Sequence, residues 1–175
     1  MDASDKPLVN RVAQSSLITI NLEKYYPAEK IIAFDLKDFL FHGLILKEKD
    51  FRTALAEYDW TTLENGLLAI YCSADAIIPT WAFMLVTAYA TPFAKQVFLG
   101  SKEDLIDKFY ADLIETTDWS HLEGQRVVIK GCSDKPVPVS AYVNLTKKLQ
   151  PIAQSIMFGE PCSTVPIFKR PRKLK

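Results

Sequence analysis

The hydrophobic positions fall into short blocks that alternate between two periods. Leu67–Tyr71 and Arg126–Lys130 are brief apolar runs rich in β-favouring residues, the pattern of strands buried on both faces. A polar loop follows each run and ends at a proline, Pro79 in one case and Pro138 in the other. Proline suits the first turn of a helix, where no backbone N–H is needed. Helices are therefore expected from these prolines to about Ala90 and Leu149. Pro92 and Pro151 stop them, because the residue before a proline avoids the helical region. Residues 97–99 and 156–158 are then short strands ended by Gly100 and Gly159. Upstream, residues 31–34 read as a strand. Residues 38 to about 58 read as one helix, apolar at Phe39, Leu40, Leu44, Phe51 and Leu55. Its counterpart runs from Ser101 to Thr116, with Ser101 as cap and Asp104 supplying negative charge to the first turn. Strands alternating with helices predict an α/β fold, a mostly parallel sheet with helices on both faces.

The blocks repeat. Shifted by 59 residues, the segment 59–100 lies over 118–159 without a gap. Asp59, Trp60, Leu63, Glu64, Ile70, Asp75, Pro79, Ala82, Thr87, Pro92, Ala94 and Gly100 all fall on identical residues, 12 identities in 42 positions. Ordinary residue frequencies would give roughly two or three. Two copies are too few for a solenoid, so an internal duplication of a βαβ unit within one domain is expected. On this reading the single domain, 1–175, has an N-terminal extension at 1–29 and a first repeat half at 30–100. A second half follows at 101–160, then a C-terminal Cys loop and basic tail at 161–175.

Composition narrows the classes. Lys+Arg and Asp+Glu are both 21, so the formal net charge is zero and a whole-domain footprint for nucleic acid is lacking. The tail carries Lys169, Arg170, Arg172, Lys173 and Lys175, which reads as a solvated end or a weak partner contact. Nucleic acid is not the expected partner, whereas a protein partner fits. Three cysteines is an odd, dispersed set, unlike a disulfide scaffold. The start, Met1-Asp2-Ala3-Ser4-Asp5-Lys6-Pro7, has no apolar core of the signal-peptide type. A reducing cytoplasm and free thiols are expected. Residues 76–94 carry no charge, but Pro79 and Pro92 cut the run into a segment too short to span a bilayer. A buried helix and no membrane association follow.

In open α/β sheets, ligands bind beyond the carboxyl ends of the strands. The loops at those ends carry all three cysteines, each followed by serine: Cys72-Ser73, Cys132-Ser133 and Cys162-Ser163. Three thiolates with a fourth ligand suit zinc, and three can hold an iron–sulfur cluster. Asp75 and Asp134, early in their loops, are candidate further ligands. No CxxC spacing occurs, so small buried thiols at strand ends are an equal reading. A reactive thiol is a third, favoured by nearby helix N-termini but lacking a placed base, since His121 precedes a strand and His42 falls inside a predicted helix. Ser73, Ser133 and Ser163 with Lys135 could instead cradle an anion, although no glycine-rich nucleotide fingerprint is present. Cys72 aligns with Gly131 and Cys132 with Ser73, a slip of one residue that argues for one asymmetric site.

The strings Leu8-Val9-Asn10-Arg11-Val12-Ala13, Leu46-Lys47-Glu48-Lys49-Asp50-Phe51-Arg52, Cys72-Ser73-Ala74-Asp75-Ala76-Ile77-Ile78-Pro79-Thr80-Trp81-Ala82, Lys130-Gly131-Cys132-Ser133-Asp134-Lys135-Pro136-Val137-Pro138 and Gly159-Glu160-Pro161-Cys162-Ser163-Thr164-Val165-Pro166 make the chain similar to a bacterial family, domain of unknown function 2480. The resemblance spans nearly the whole chain. It implies a link with iron–sulfur assembly systems and assigns no role to any residue. The expected function is a soluble accessory protein that binds a metal or iron–sulfur cluster through its three Cys-Ser loops. The alternatives are a thiol- or anion-dependent enzyme using the same crevice, and a structural or interaction domain with buried cysteines.

Overall fold

The structure, a computed structural model, describes residues 17–131 and 134–171. Cys132, Ser133 and the end of the basic tail lie outside the described residues. In chain order the elements are β1 Leu17–Asn21, β2 Ile31–Asp35, β3 Leu40–Phe41, β4 Ile45–Leu46, α1 Glu48–Glu57, β5 Leu67–Tyr71, α2 Thr80–Ala90, β6 Gln96–Leu99, α3 Lys102–Thr116, β7 Arg126–Lys130, α4 Val139–Leu149, β8 Ser155–Glu160 and β9 Ser163–Lys169. They gather into two compact units. The central unit is Pro27–Phe109; the terminal unit joins Met1–Tyr26 to Tyr110–Lys175. The boundary falls inside α3.

The central unit is built on a parallel sheet in the order β2-β5-β6. Its middle strand is buried from Leu67 to Ile70, which explains the unbroken apolar run. Successive side chains face opposite ways. Phe34, Leu68 and Ile70 pack with Phe51 and Leu55 of α1 and with Ala82, Val86 and Ala90 of α2. Leu67 and Ala69 pack with Leu105, Ile106 and Phe109 of α3. This sheet therefore has helices on both faces. The start of α3 is closed by a reciprocal cap: Asp104 N–H donates to the Ser101 hydroxyl at 3.1 Å, and Ser101 N–H donates to the Asp104 carboxylate at 2.8 Å.

The terminal unit is a four-stranded sheet in the order β1-β7-β8-β9. The first three strands are parallel and β9 runs antiparallel along β8, with a bulge between Ile156 and Met157. Helix α4 buries Ala141, Leu145 and Leu149, one residue per turn on a single stripe.

Local detail recurs at a spacing of 59 residues. Leu67 pairs with Gln96 and Arg126 with Ser155. Trp60 Nε1 donates to Leu55 O at 2.8 Å, and Trp119 Nε1 to Ile114 O at 3.0 Å. The same loop hydrogen bond joins Asn65 N–H to Phe93 O and Gly124 N–H to Ile152 O. Both tryptophans are buried.

Three expectations change. The single helix over 38–58 is instead a 3-10 turn, Leu36–Phe39, then the β3–β4 hairpin, then α1. The break sits at His42 and Gly43, both in the left-handed region at φ 51° and 70°, which a helix cannot accommodate. Sequence 17–21, inside the expected N-terminal extension, is strand β1, in register with β7. The expected C-terminal Cys loop is a tight turn into β9, where Pro166 is tolerated because β9 is an edge strand. Among the described residues no helix is long and apolar enough to cross a membrane, and uncharged α2 spans only 11 residues.

Candidate functional site

The parallel strands of each unit end at a carboxyl edge, and the two edges carry different chemistry. In the central unit the edge is formed by Asp35, Tyr71 and Leu99. Asp35 accepts from Lys37 N–H at 2.9 Å and from Ser73 N–H at 3.0 Å. Burial alone would push its carboxyl up, but the bonds from Ser73 and Lys37 outweigh it and hold the group below the usual carboxylate range. The loop N–H at Ser73 is thus satisfied by a carboxylate rather than aimed at an anion. Cys72 is half-buried, its thiol 3.6 Å from Ala74 O, and it borders a hollow of about 340 Å³ lined by Ile70, Ala76, Ile78 and Phe83. Asp75 is exposed.

In the terminal unit the edge is charged and aromatic. Lys130, at the end of β7, pairs with Glu160 of β8 at 2.9 Å. Glu160, with further help from Glu23 and Cys162, holds the Lys130 ammonium above its usual range. Glu23 accepts from Asp134 N–H at 2.8 Å and so ties the loop after β7 to the turn after β1. Tyr142 donates to Gly131 O, and Tyr110 donates to Leu22 O at 2.9 Å. Desolvation, reinforced by Tyr142, Tyr26 and Glu23, pushes the Tyr110 phenol up to about 12. Lys135 lies over the Tyr26 ring at 5.3 Å. Cys162 is exposed in the β8–β9 turn, with Ser163 beside it.

Gly131, which stands where the central unit has Cys72, adopts φ 139°. A Cβ there would sit 3.1 Å from the backbone N of both Leu22 and Glu23. Any side chain at that position, a cysteine included, is strained by the backbone angle and crowded by its neighbours.

Of the expected site residues, Asp134, Lys135 and Cys162 belong to the terminal edge, whereas Cys72, Ser73 and Asp75 belong to the central one. Cys132 and Ser133 lie outside the described residues. Among the described residues no group of three or more His, Cys, Asp or Glu side chains is placed to hold a metal ion. Glu23, Tyr110, Tyr142 and Asp35 were not singled out from sequence. One local signal was available for Asp35: Asn21-Leu22-Glu23 and Asp35-Leu36-Lys37 are matching turns in which the first side chain caps the third N–H.

A family model described as a protein of unknown function, DUF2480, matches residues 6–170. The chain belongs to the DUF2480 family. No curated protein and no solved structure matches it.

One apolar concavity of this DUF2480 chain lies in the terminal unit, near the carboxyl edge. It is a cavity of about 640 Å³ between α4, β8 and β9. Ile129, Val137, Val139, Val143, Ile156, Met157, Phe158 and Ile167 line it, and only Tyr142 and Thr146 bring polar groups. Its size falls within the range of small-molecule pockets, roughly 300–1,000 Å³. Tyr142 links the two regions, since its ring packs edge-on against Phe158 at 5.7 Å while its hydroxyl reaches Gly131 at the carboxyl edge.

Proposed function

We propose that this chain is a binding module that takes an amphipathic small molecule in the terminal unit. The apolar body of the ligand fills the α4–β8–β9 cavity, and its polar end meets Lys130, Glu160 and Tyr142. The observation that carries this reading is the cavity, whose walls are almost wholly apolar and whose Tyr142 reaches the strand edge where Lys130 and Glu160 pair. Filling it with apolar matter would release about 25 cal/mol for each Å² removed from water. The test is a titration with a fluorescent acyl-chain reporter. Val143, 61 % exposed at the mouth, offers a substitution that leaves the core intact. Saturable binding by the parent and loss of at least about tenfold affinity in Val143→Arg, a charge placed on an apolar contact, supports the reading. Equal binding by the two sinks it.

A second reading keeps a thiol at the centre: an accessory protein that holds zinc or an iron–sulfur cluster with Cys162 of the terminal edge among its ligands. The exposure of Cys162 favours it, because an exposed thiol is open to an incoming metal ion. Anaerobic purification followed by zinc and iron analysis decides it. Bound metal lost on Cys162→Ser supports it; no metal, and no uptake on reconstitution, eliminates it.

We further infer that the two units descend from one duplicated βαβ element. In support, helices α2 and α4, the tryptophan anchors and the strand registers recur at one spacing of 59 residues.

A further inference from the structure

We propose that the outer edge of β6 in the central unit docks an extended peptide of a partner protein, which adds as an antiparallel strand and sets a basic residue against the end of α2. The terminal unit supplies the template. There the equivalent strand, β8, is covered by β9, which pairs antiparallel from Glu160↔Ser163 to Ser155↔Lys169. Ile167 of β9 lines the apolar cavity between β8 and α4. Arg170, one residue beyond β9, donates its guanidinium to Gln150 O at 3.3 Å and also to Pro151 O at the end of α4, and its N–H donates to Gln154 O at 2.9 Å.

The central unit has the same groove and lacks the strand. A cavity of about 670 Å³ lies between α2 and β6, lined by Ile70, Phe83, Met84, Thr87, Val97 and Leu99. After β6 the chain turns at Gly100 into α3, and among the described residues no strand pairs with the outer edge of β6. Open edges are normally guarded by proline, charge or a covering segment. The edge strand β9 is guarded, by Pro166 and Lys169. Strand β6, Gln96-Val97-Phe98-Leu99, has neither guard, with Leu99 76 % and Met84 67 % exposed beside it. Backbone pairing at such an edge gives affinity, and pockets for alternate side chains give selectivity.

Charge fixes the character of the partner. The last turn of α4 carries Lys147 and Lys148 and is also met by Arg170. The last turn of α2 has no basic residue of its own. The partial negative charge at that helix end, at Thr91 and Pro92, is where an incoming lysine or arginine is stabilised. The occupant is therefore an extended segment with an apolar residue over the groove and a basic residue toward its carboxyl end, the pattern of β9 and Arg170. It occupies a different surface from the amphipathic ligand of the terminal cavity, so each proposal stands without the other.

The test uses a synthetic peptide with the sequence of residues 163–170, Ser-Thr-Val-Pro-Ile-Phe-Lys-Arg, as stand-in for the partner strand. It is titrated into the intact protein, and hydrogen exchange is followed at 96–99 and at 155–160. The expected result is exchange at 96–99 slowed at least about tenfold at saturation, with 155–160 unchanged. Leu99→Lys, a change at an exposed side chain, should abolish the slowing. Alanine in place of the peptide's two basic residues should weaken half-saturation by roughly fivefold. No slowing at 96–99, slowing only at 155–160, or slowing that grows with protein concentration before any peptide is added would each overturn the proposal.

Discussion

Gly131 shows how one backbone angle restricts the residue that can sit at a strand end. At φ 139°, with Leu22 and Glu23 3.1 Å from where a β-carbon would sit, the position strains any side chain. Gly131→Ala should destabilise the protein by about 1–3 kcal/mol, the usual cost of a forced backbone outlier, read as a lower denaturant midpoint with an unchanged slope. Tyr110 gives a second test at this scale. Its folded pKa, about 12, stands above the ordinary value of 10.0. The neutral phenol is therefore favoured by folding, and its contribution is complete below about pH 10 and is lost as pH rises toward 12. A phenolate absorbance titration should leave one tyrosine un-ionised until the protein unfolds, and Tyr110→Phe should remove that late step. An early, single titration of all tyrosines would contradict the burial of this hydroxyl. The cysteines and their serines were plain in the sequence. The partners that organise the terminal edge were not, because Glu23 meets the loop at Asp134 across 111 positions and Tyr110 meets Leu22 across 88. Local pattern carries no trace of contacts so distant.

Among the elements, those bounded by proline were the most legible. Helices α2 and α4 begin one residue after Pro79 and Pro138 and end at Ala90 and Leu149. Strands β5 and β7 match their apolar runs residue for residue. The miss over 38–58 has a definite cause: the apolar spacing there resembles a helix, yet His42-Gly43 turns the chain back on itself. Strand β1 escaped because it depends on pairing with distant β7, and β9 because Pro166 interrupts its run although a tight turn joins it to β8. The packing of α4 predicts a measurable contrast. Leu145 is fully buried at the place held by Val86 in α2. Leu145→Ala should cost about 2–5 kcal/mol in thermal or denaturant unfolding, the range for a buried leucine truncated to alanine. A loss below that range would mean that α4 is not seated on its sheet as described.

At the scale of the molecule, a formally neutral chain carries two units that resemble each other in frame and differ in edge chemistry. Tyr71, Ser101 and Phe83 in the central unit stand where the terminal unit has Lys130, Glu160 and Tyr142. One groove is roofed by β9 and the other is open. On the proposals made above, a small ligand belongs to the first and an extended peptide to the second, and function lies where the two units differ. The alternation of strands and helices was enough to read the largely parallel α/β architecture. The cavity was not readable, since its walls come from α4, β8, β9 and the loop before α4, and only folding brings them together. The most direct measurement is methyl-detected NMR of the intact protein during titration with a medium-chain fatty acid. The account predicts saturable shifts at Ile129, Val139, Val143, Ile156, Met157 and Ile167, with Met84 and Val97 unmoved. Shifts that fail to saturate, or that spread equally over both units, would contradict it.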